Sequence, residues 1–232
     1  MKGLRRLSSY GGTENSMAKT ELIIFDLDGT LVDSESVYQM GWATVLKDFG
    51  HNVEVADFEL MRGKGRHHNN QYIKSYLGTD ALVQEARNLR EEYYFNALNN
   101  NEVQLMPGAL ELIEEAFEQG IILAVATSSY RDRGKATLDQ FDLSKYFTYQ
   151  VFGDEVENAK PHPEIYNKVL ELAGVEADKA VAVEDSLSGL KSALDAQLTV
   201  YFVPEAEVSF DKDEKRIKRC NDLHEVKNAL FK

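Results

Sequence analysis

The chain has a single cysteine, Cys220, in 232 residues, so no internal disulfide framework can hold its fold. A lone thiol suits a reducing compartment, and a cytoplasmic protein is expected. Prolines number only four and no segment is of low complexity, which argues against a disordered chain. No run approaches the ~20 apolar residues of a membrane helix, so no membrane partner is expected. Cations are also short: 26 Lys and Arg stand against 39 Asp and Glu, a formal net charge of −13. That deficit argues against a broad nucleic-acid surface, which needs clustered cations to neutralise phosphates. It leaves room for a small basic pocket that takes one phosphate. What is present is ordinary globular material, 43% hydrophobic and 28% charged. The length allows one large domain, or a domain with an insertion.

Residues 1–19 are polar and lack the apolar core of roughly 7–15 residues that a secretory signal needs. They read as a flexible N-terminal extension, with Met17 as a second candidate start. Beyond them, continuous apolar runs bounded by turn residues predict buried parallel strands at 21–26, 121–127, 180–185 and 198–203, and a shorter one at 149–152. Helical patterns lie between. Pro107 suits a first helical residue, Leu110, Ile113 and Phe117 follow as a stripe, and Gly120 is a stop. Ile165, Val169 and Leu172 form a second stripe ended by Gly174, and Leu190, Ala193 and Leu194 a third. Asp222 and Glu225 have capping-box spacing. Strand–helix alternation of this kind predicts a three-layer α/β fold with a mostly parallel sheet.

Residues 33–103 break the alternation. Their spacing, as in Tyr38, Trp42, Val45, Leu46 and Phe49, predicts helices, with Tyr93 and Tyr94 in their core. Inserted after the first strand, they are expected to hang as a cap over the ligand crevice at the carboxyl ends of the strands. The core domain is then 20–32 and 104–232. No apolar helical face is left over, so a monomer is expected.

The most informative segment is Phe25-Asp26-Leu27-Asp28-Gly29-Thr30. An apolar strand runs into two carboxylates with one residue between them, and alternate strand residues share a face. Adjacent carboxylates repel each other, and a divalent cation would relieve this. The strand over 180–185 also ends in acid, Glu184-Asp185. If it lies beside the first strand, three or four carboxylates converge. Such hard-oxygen ligation suits Mg²⁺. Thr127-Ser128-Ser129 ends the second strand with hydroxyls and N–H groups near a helix start, a reasonable phosphate corner. Lys160, in Lys160-Pro161-His162-Pro163, places a cation just before a helix. Together these parts suit phosphoryl transfer: a carboxylate nucleophile, a second carboxyl that shuttles protons, and a metal and a lysine that neutralise oxygens.

Four motifs, FDLDGT (25–30), VATSS (125–129), AKPHPEIY (159–166) and VAVEDSLSG (181–189), stand in the order and spacing found in the haloacid dehalogenase-like hydrolases. The chain resembles that family from about residue 21 to the C-terminus. It is similar to the helical-cap subgroup that holds β-phosphoglucomutase and sugar-phosphate phosphatases. The resemblance implies a three-layer Rossmann-like α/β core with an inserted helical cap. It implies that Asp26 is the nucleophile, forming an aspartyl-phosphate, and that Asp28 is the general acid/base. Thr127, Ser128 and Lys160 would bind the phosphate. Mg²⁺ would sit on Asp26, the Asp28 carbonyl and Asp185, with Glu184 a direct or water-mediated ligand. The implied partner is a small phosphorylated metabolite, and the implied activity a phosphatase.

The cap carries a glycine-flexed cationic turn, Arg62 to His68. It reads either as a solvated basic loop or as a specificity loop over Asp26. Gly63 and Arg66 fall where the mutases carry a Gly and an Arg, and Arg90 near a second cap cation; Lys64 belongs to the same turn. Thr30 and Tyr38 depart from the mutase pattern of Val and His, which favours water as the acceptor. A phosphosugar mutase is the alternative enzyme, and a catalytically idle binding domain the alternative of another class.

Overall fold

A computed structural model describes residues 20–61, 66–204, 209 and 215–232. The expected N-terminal extension lies outside the described residues, as do Gly63 and Lys64 of the cationic turn. Six parallel strands form one sheet: β1 (Leu22–Phe25), β4 (Ile122–Ala126), β5 (Tyr149–Val151), β6 (Ala180–Glu184), β7 (Thr199–Phe202) and β8 (Ile217–Arg219), in the order β5-β4-β1-β6-β7-β8. Five of them are the apolar runs of the sequence, each shortened by one residue at one or both ends, and β8 was not expected. β1 is central, flanked by β4 and β6 in register, with Phe25 opposite both Val125 and Val183.

Alternation along the strands divides the core into two layers. Ile23, Phe25, Leu123, Val125, Val181 and Val183 face helices α4 (Ala109–Glu118), α5 (Arg131–Gln140) and α8 (Leu223–Phe231). Leu22, Ile24, Ala124, Ala126, Ala180 and Ala182 face α6 (Glu164–Ala173) and α7 (Leu187–Asp195). Each fully buried Leu, Ile or Phe contributes about 1.5–3 kcal/mol, so both helical layers are held largely by this apolar contact. Asp222 caps α8 by accepting from the Glu225 N–H at 2.8 Å, and Glu225 accepts in turn from the Asn221 N–H, close to the expected box.

Two helical faces differ from expectation. On α4 the buried residues are Ala109, Leu112, Ile113 and Ala116, while Leu110 and Phe117 are exposed. The two alanines let the helix approach the sheet closely, and the larger side chains turn outward. Pro107 does not begin this helix: Gly108 precedes it in a left-handed conformation (φ 82°). The backbone N of His224 lies 2.9 Å from where a Cβ of residue 108 would stand, so only glycine fits. On α6, Leu172 is half exposed, and Tyr166 replaces it in the buried stripe.

The chain leaves the sheet after β1 through β2 (Val32–Asp33) and returns through β3 (Gln104–Leu105), which pair antiparallel. Between them lie α1 (Glu35–Asp48), a 3₁₀ turn (Val55–Met61), α2 (Arg66–Leu77) and α3 (Asp80–Asn99). These bury a cluster of their own around Trp42, Leu46, Phe58, Ile73 and Ala86. The end of α3 does not belong to it. Tyr94 packs in the main core and shares a 2.9 Å hydrogen bond with Thr137 on α5, and Tyr93 packs against the same core. Among the described residues no helix is long and apolar enough to cross a membrane.

Candidate active site

All the predicted core motifs meet at the carboxyl ends of β1, β4 and β6. Asp26 follows β1 directly and is almost buried. Lys160 Nζ donates to Asp26 Oδ1 at 2.7 Å, to Glu184 Oε1 at 2.6 Å and to the Ala126 carbonyl at 2.9 Å. Burial would lower the lysine's pKa, but the charges of Asp26 and Glu184 outweigh it and hold the ammonium above its ordinary range. For Asp26 burial dominates and raises its carboxyl well above the usual range, with Glu184 and Asp185 adding and Lys160 opposing.

Ligand oxygens of Asp26, Glu184 and Asp185 lie within 4.8 Å of one another, a set that can hold a metal ion. Asp185 is steadied by the Thr30 hydroxyl at 3.0 Å. Gly29 is required beside it: its φ is 86°, and a Cβ there would stand 2.4 Å from Asp185 Oδ2. The hard-oxygen donors and the raised Asp26 carboxyl fit a divalent cation, which would relieve the crowding of anions.

Glu184 is fully buried and heavily hydrogen-bonded. Its Oε1 accepts from Lys160 and from the Tyr166 hydroxyl at 2.6 Å, and its Oε2 from the Asp185 N–H and the Ser186 hydroxyl. Its carboxylate rests against Gly189, where a Cβ would stand 1.9 Å from Oε1. Gly189→Ala must therefore push Glu184 away and Lys160 with it. The expected result is a loss of about 1–3 kcal/mol from overpacking together with reduced turnover. Thermal melting and steady-state assay of the variant check both.

Asp28 turns away from the acidic cluster. Its Oδ1 accepts from the Ser34 hydroxyl at 2.8 Å and its Oδ2 from the Ser129 hydroxyl, with Thr127 Oγ1 3.5 Å from Oδ2. Arg133 Nη2 stands 3.8 Å from the same oxygen. Burial raises this carboxyl's pKa, but Arg133, Ser129 and Ser34 more than offset it and leave Asp28 below the usual range. Thr127 is buried and accepts from the Ser129 N–H at 3.0 Å, while Ser128 is exposed.

A cavity of about 640 Å³ lies between these strand ends and the inserted helices. Its walls include Asp26, Asp28, Thr127, Ser128, Lys160 and Asp185 from the core side and Arg66 and Arg90 from α2 and α3. The Arg66 guanidinium carbon lies 4.2 Å from the centre of the Tyr130 ring, so the helices reach the core here. Arg90 is buried, ion-paired with Glu91 at 2.5 Å, with its guanidinium carbon 4.2 Å from the centre of the Tyr38 ring. Its Nε and Nη1 find no hydrogen-bond partner among the described residues. Ser34, Arg133 and Tyr166 were not singled out as site residues by the sequence. One signal pointed to Tyr166, which ends the AKPHPEIY motif; nothing in the sequence marked Ser34 or Arg133.

The chain matches the haloacid dehalogenase-like hydrolase family over residues 23–203 and belongs to it. It is an enzyme of the subgroup similar to β-phosphoglucomutase. A phosphorylated carbohydrates phosphatase of Thermotoga maritima is 34% identical over 76% of this chain and 81% of the relative. CbbY from Rhodobacter sphaeroides, crystallised with phosphate, superposes with a TM-score of 0.77 at 26% identity, covering 89% of this chain and 96% of that one. A putative β-phosphoglucomutase structure from Thermotoga maritima gives 0.75 at 29%, covering 91% and 98%.

Proposed function

We propose that the protein is a Mg²⁺-dependent phosphatase of small phosphorylated carbohydrates that works through an aspartyl-phosphate on Asp26. The observation that carries this is the meeting of Asp26, Lys160, Asp185 and Asp28 at one cavity floor. An Asp26 carboxylate oxygen attacks phosphorus, and the phosphorus–oxygen bond to the leaving group breaks. Asp28, which Arg133, Ser129 and Ser34 hold as a carboxylate in the free protein, takes up a proton from solvent when the anionic ester lies beside it and gives that proton to the departing alkoxide. Asp28, now a carboxylate, takes a proton from water, whose oxygen displaces Asp26 and releases phosphate. Lys160 neutralises transferring oxygens, and Thr127 and Ser128 bind them at the end of β4. Mg²⁺, on Asp26, Asp185 and the Asp28 carbonyl, would supply further neutralisation of those oxygens. Glu184 would act from behind, since its oxygens already accept four hydrogen bonds from protein donors.

Phosphate release from p-nitrophenyl phosphate and from a sugar phosphate, with and without Mg²⁺, tests the reading. Asp28→Asn should lower kcat/KM for the sugar phosphate roughly 10²–10⁴-fold and for p-nitrophenyl phosphate much less, because nitrophenolate leaves without a proton. Equal turnover of the sugar phosphate by variant and wild type would remove Asp28 from its role. The Arg66 position in the cavity wall keeps the mutase reading in view. No phosphate release, with interconversion of β-glucose 1-phosphate and glucose 6-phosphate, would favour it. Metal binding without either activity would favour an idle binding role.

A further inference from the structure

We propose that Arg133 is a positioning residue that ties the orientation of the Asp28 side chain to the seating of the inserted helices. The proposal rests on Asp28 being the proton donor of the phosphatase reading.

Arg133 stands in the first turn of α5, on the core side of the cavity, with its side chain only 15% exposed. Its Nη2 donates to the Ser129 hydroxyl, which donates onward to Asp28 Oδ2. The other Asp28 oxygen is held by Ser34, the residue that joins β2 to α1. One oxygen of Asp28 is thus fixed from the connection into the helices, and the other from the core through Ser129 and Arg133.

The guanidinium of Arg133 is in turn fixed by aromatic faces. Its central carbon lies 5.7 Å from the ring centre of Tyr38 on α1 and 5.2 Å from that of Tyr94 on α3. Tyr38 also carries Arg90, and Tyr94 is anchored to Thr137 on Arg133's own helix. A guanidinium over aromatic faces keeps a fixed plane, which a flexible ammonium does not. If α1 shifts, Tyr38 and Ser34 move together, and both supports of Asp28 change at once. The proton donor then has its working orientation only when the helices are seated. Proton transfer is sensitive to such placement, and a misplacement near 1 Å costs about 10²-fold.

The test compares kcat/KM for a sugar phosphate and for p-nitrophenyl phosphate in Arg133→Met, Tyr38→Leu and Tyr38→Phe. Arg133→Met should lower the sugar-phosphate value roughly 10–100-fold and the nitrophenyl value only a few-fold. Tyr38→Leu should show the same leaving-group signature, and Tyr38→Phe, which keeps the ring, should stay near wild type. In an Asp28→Asn background, Arg133→Met should add almost nothing, because both changes remove one effect. Equal loss on both substrates, or an undiminished loss in the Asp28→Asn background, would overturn the proposal. Should Arg133→Met fail to fold, the two Tyr38 variants decide alone, and equal behaviour of Leu and Phe would sink it. Failure of the phosphatase reading looks different, since Asp28→Asn itself would then show no leaving-group dependence.

Discussion

Asp26→Asn is expected to stop turnover, with kcat falling by at least ~10⁴-fold on every phosphate ester. The amide keeps the shape of the side chain at the end of β1 but offers no carboxylate oxygen to attack phosphorus. The loss should therefore not depend on the leaving group, unlike that of Asp28→Asn. Folding should survive. Asp26 is crowded by Glu184 and Asp185, and burial disfavours its charge, so neutralising it relieves as much as it removes. Lys160 keeps its 2.6 Å bond to Glu184. Thermal melting within a few degrees of wild type, with no phosphate release, is the expected pair of results. Residual turnover above ~1% would remove Asp26 as the nucleophile.

Lys160→Ala should be worse for the fold and nearly as damaging to turnover. It leaves Glu184, fully buried, and Asp26, nearly so, without their shared cation. Breaking a buried ion pair in this way costs about 3–5 kcal/mol, which for a chain of this length corresponds to a drop of roughly 10 °C in Tm. The sign with pH is definite. Lys160 is held above its ordinary pKa, so its stabilisation is complete at neutral pH and is lost only as the pH rises through its raised range. Turnover should fall roughly 10²–10³-fold, the usual effect of losing one fixed charge at the transition state. Adding a divalent cation should restore part of the Tm and little of the turnover. A full return of turnover would place Lys160 among structural residues only.

The strands were legible because burial on both faces leaves continuous apolar runs, as in Ile122–Ala126. The motif residues were legible because each strand end carries its own chemistry within two or three positions. Helix rotation was harder to read. On α4 the sequence offers Leu110 and Phe117 as a stripe, yet two small alanines decide which face approaches the sheet. Ser34 and Arg133 were not legible as site residues. Each looks like an ordinary polar residue at a helix start, and its meaning comes from Asp28, to which only the fold brings it. Tyr94 was expected in the cap and lies in the main core because α3 runs past its own cluster to reach α5.

The central place of β1 has a consequence for synthesis. Asp26 lies early in the chain, yet its lysine comes 134 positions later, and the Thr30–Asp185 bond spans 155. At the usual elongation rate of about 5–20 residues per second, roughly ten to thirty seconds separate the emergence of Asp26 and Asp185. Throughout that interval Asp26 is an ordinary solvated carboxylate with neither cation nor metal partners. The cluster is assembled only when β4 and β6 have paired on either side of β1. A nascent or truncated chain that ends before β6 lacks Glu184 and Asp185 and cannot form the acidic cluster around Asp26.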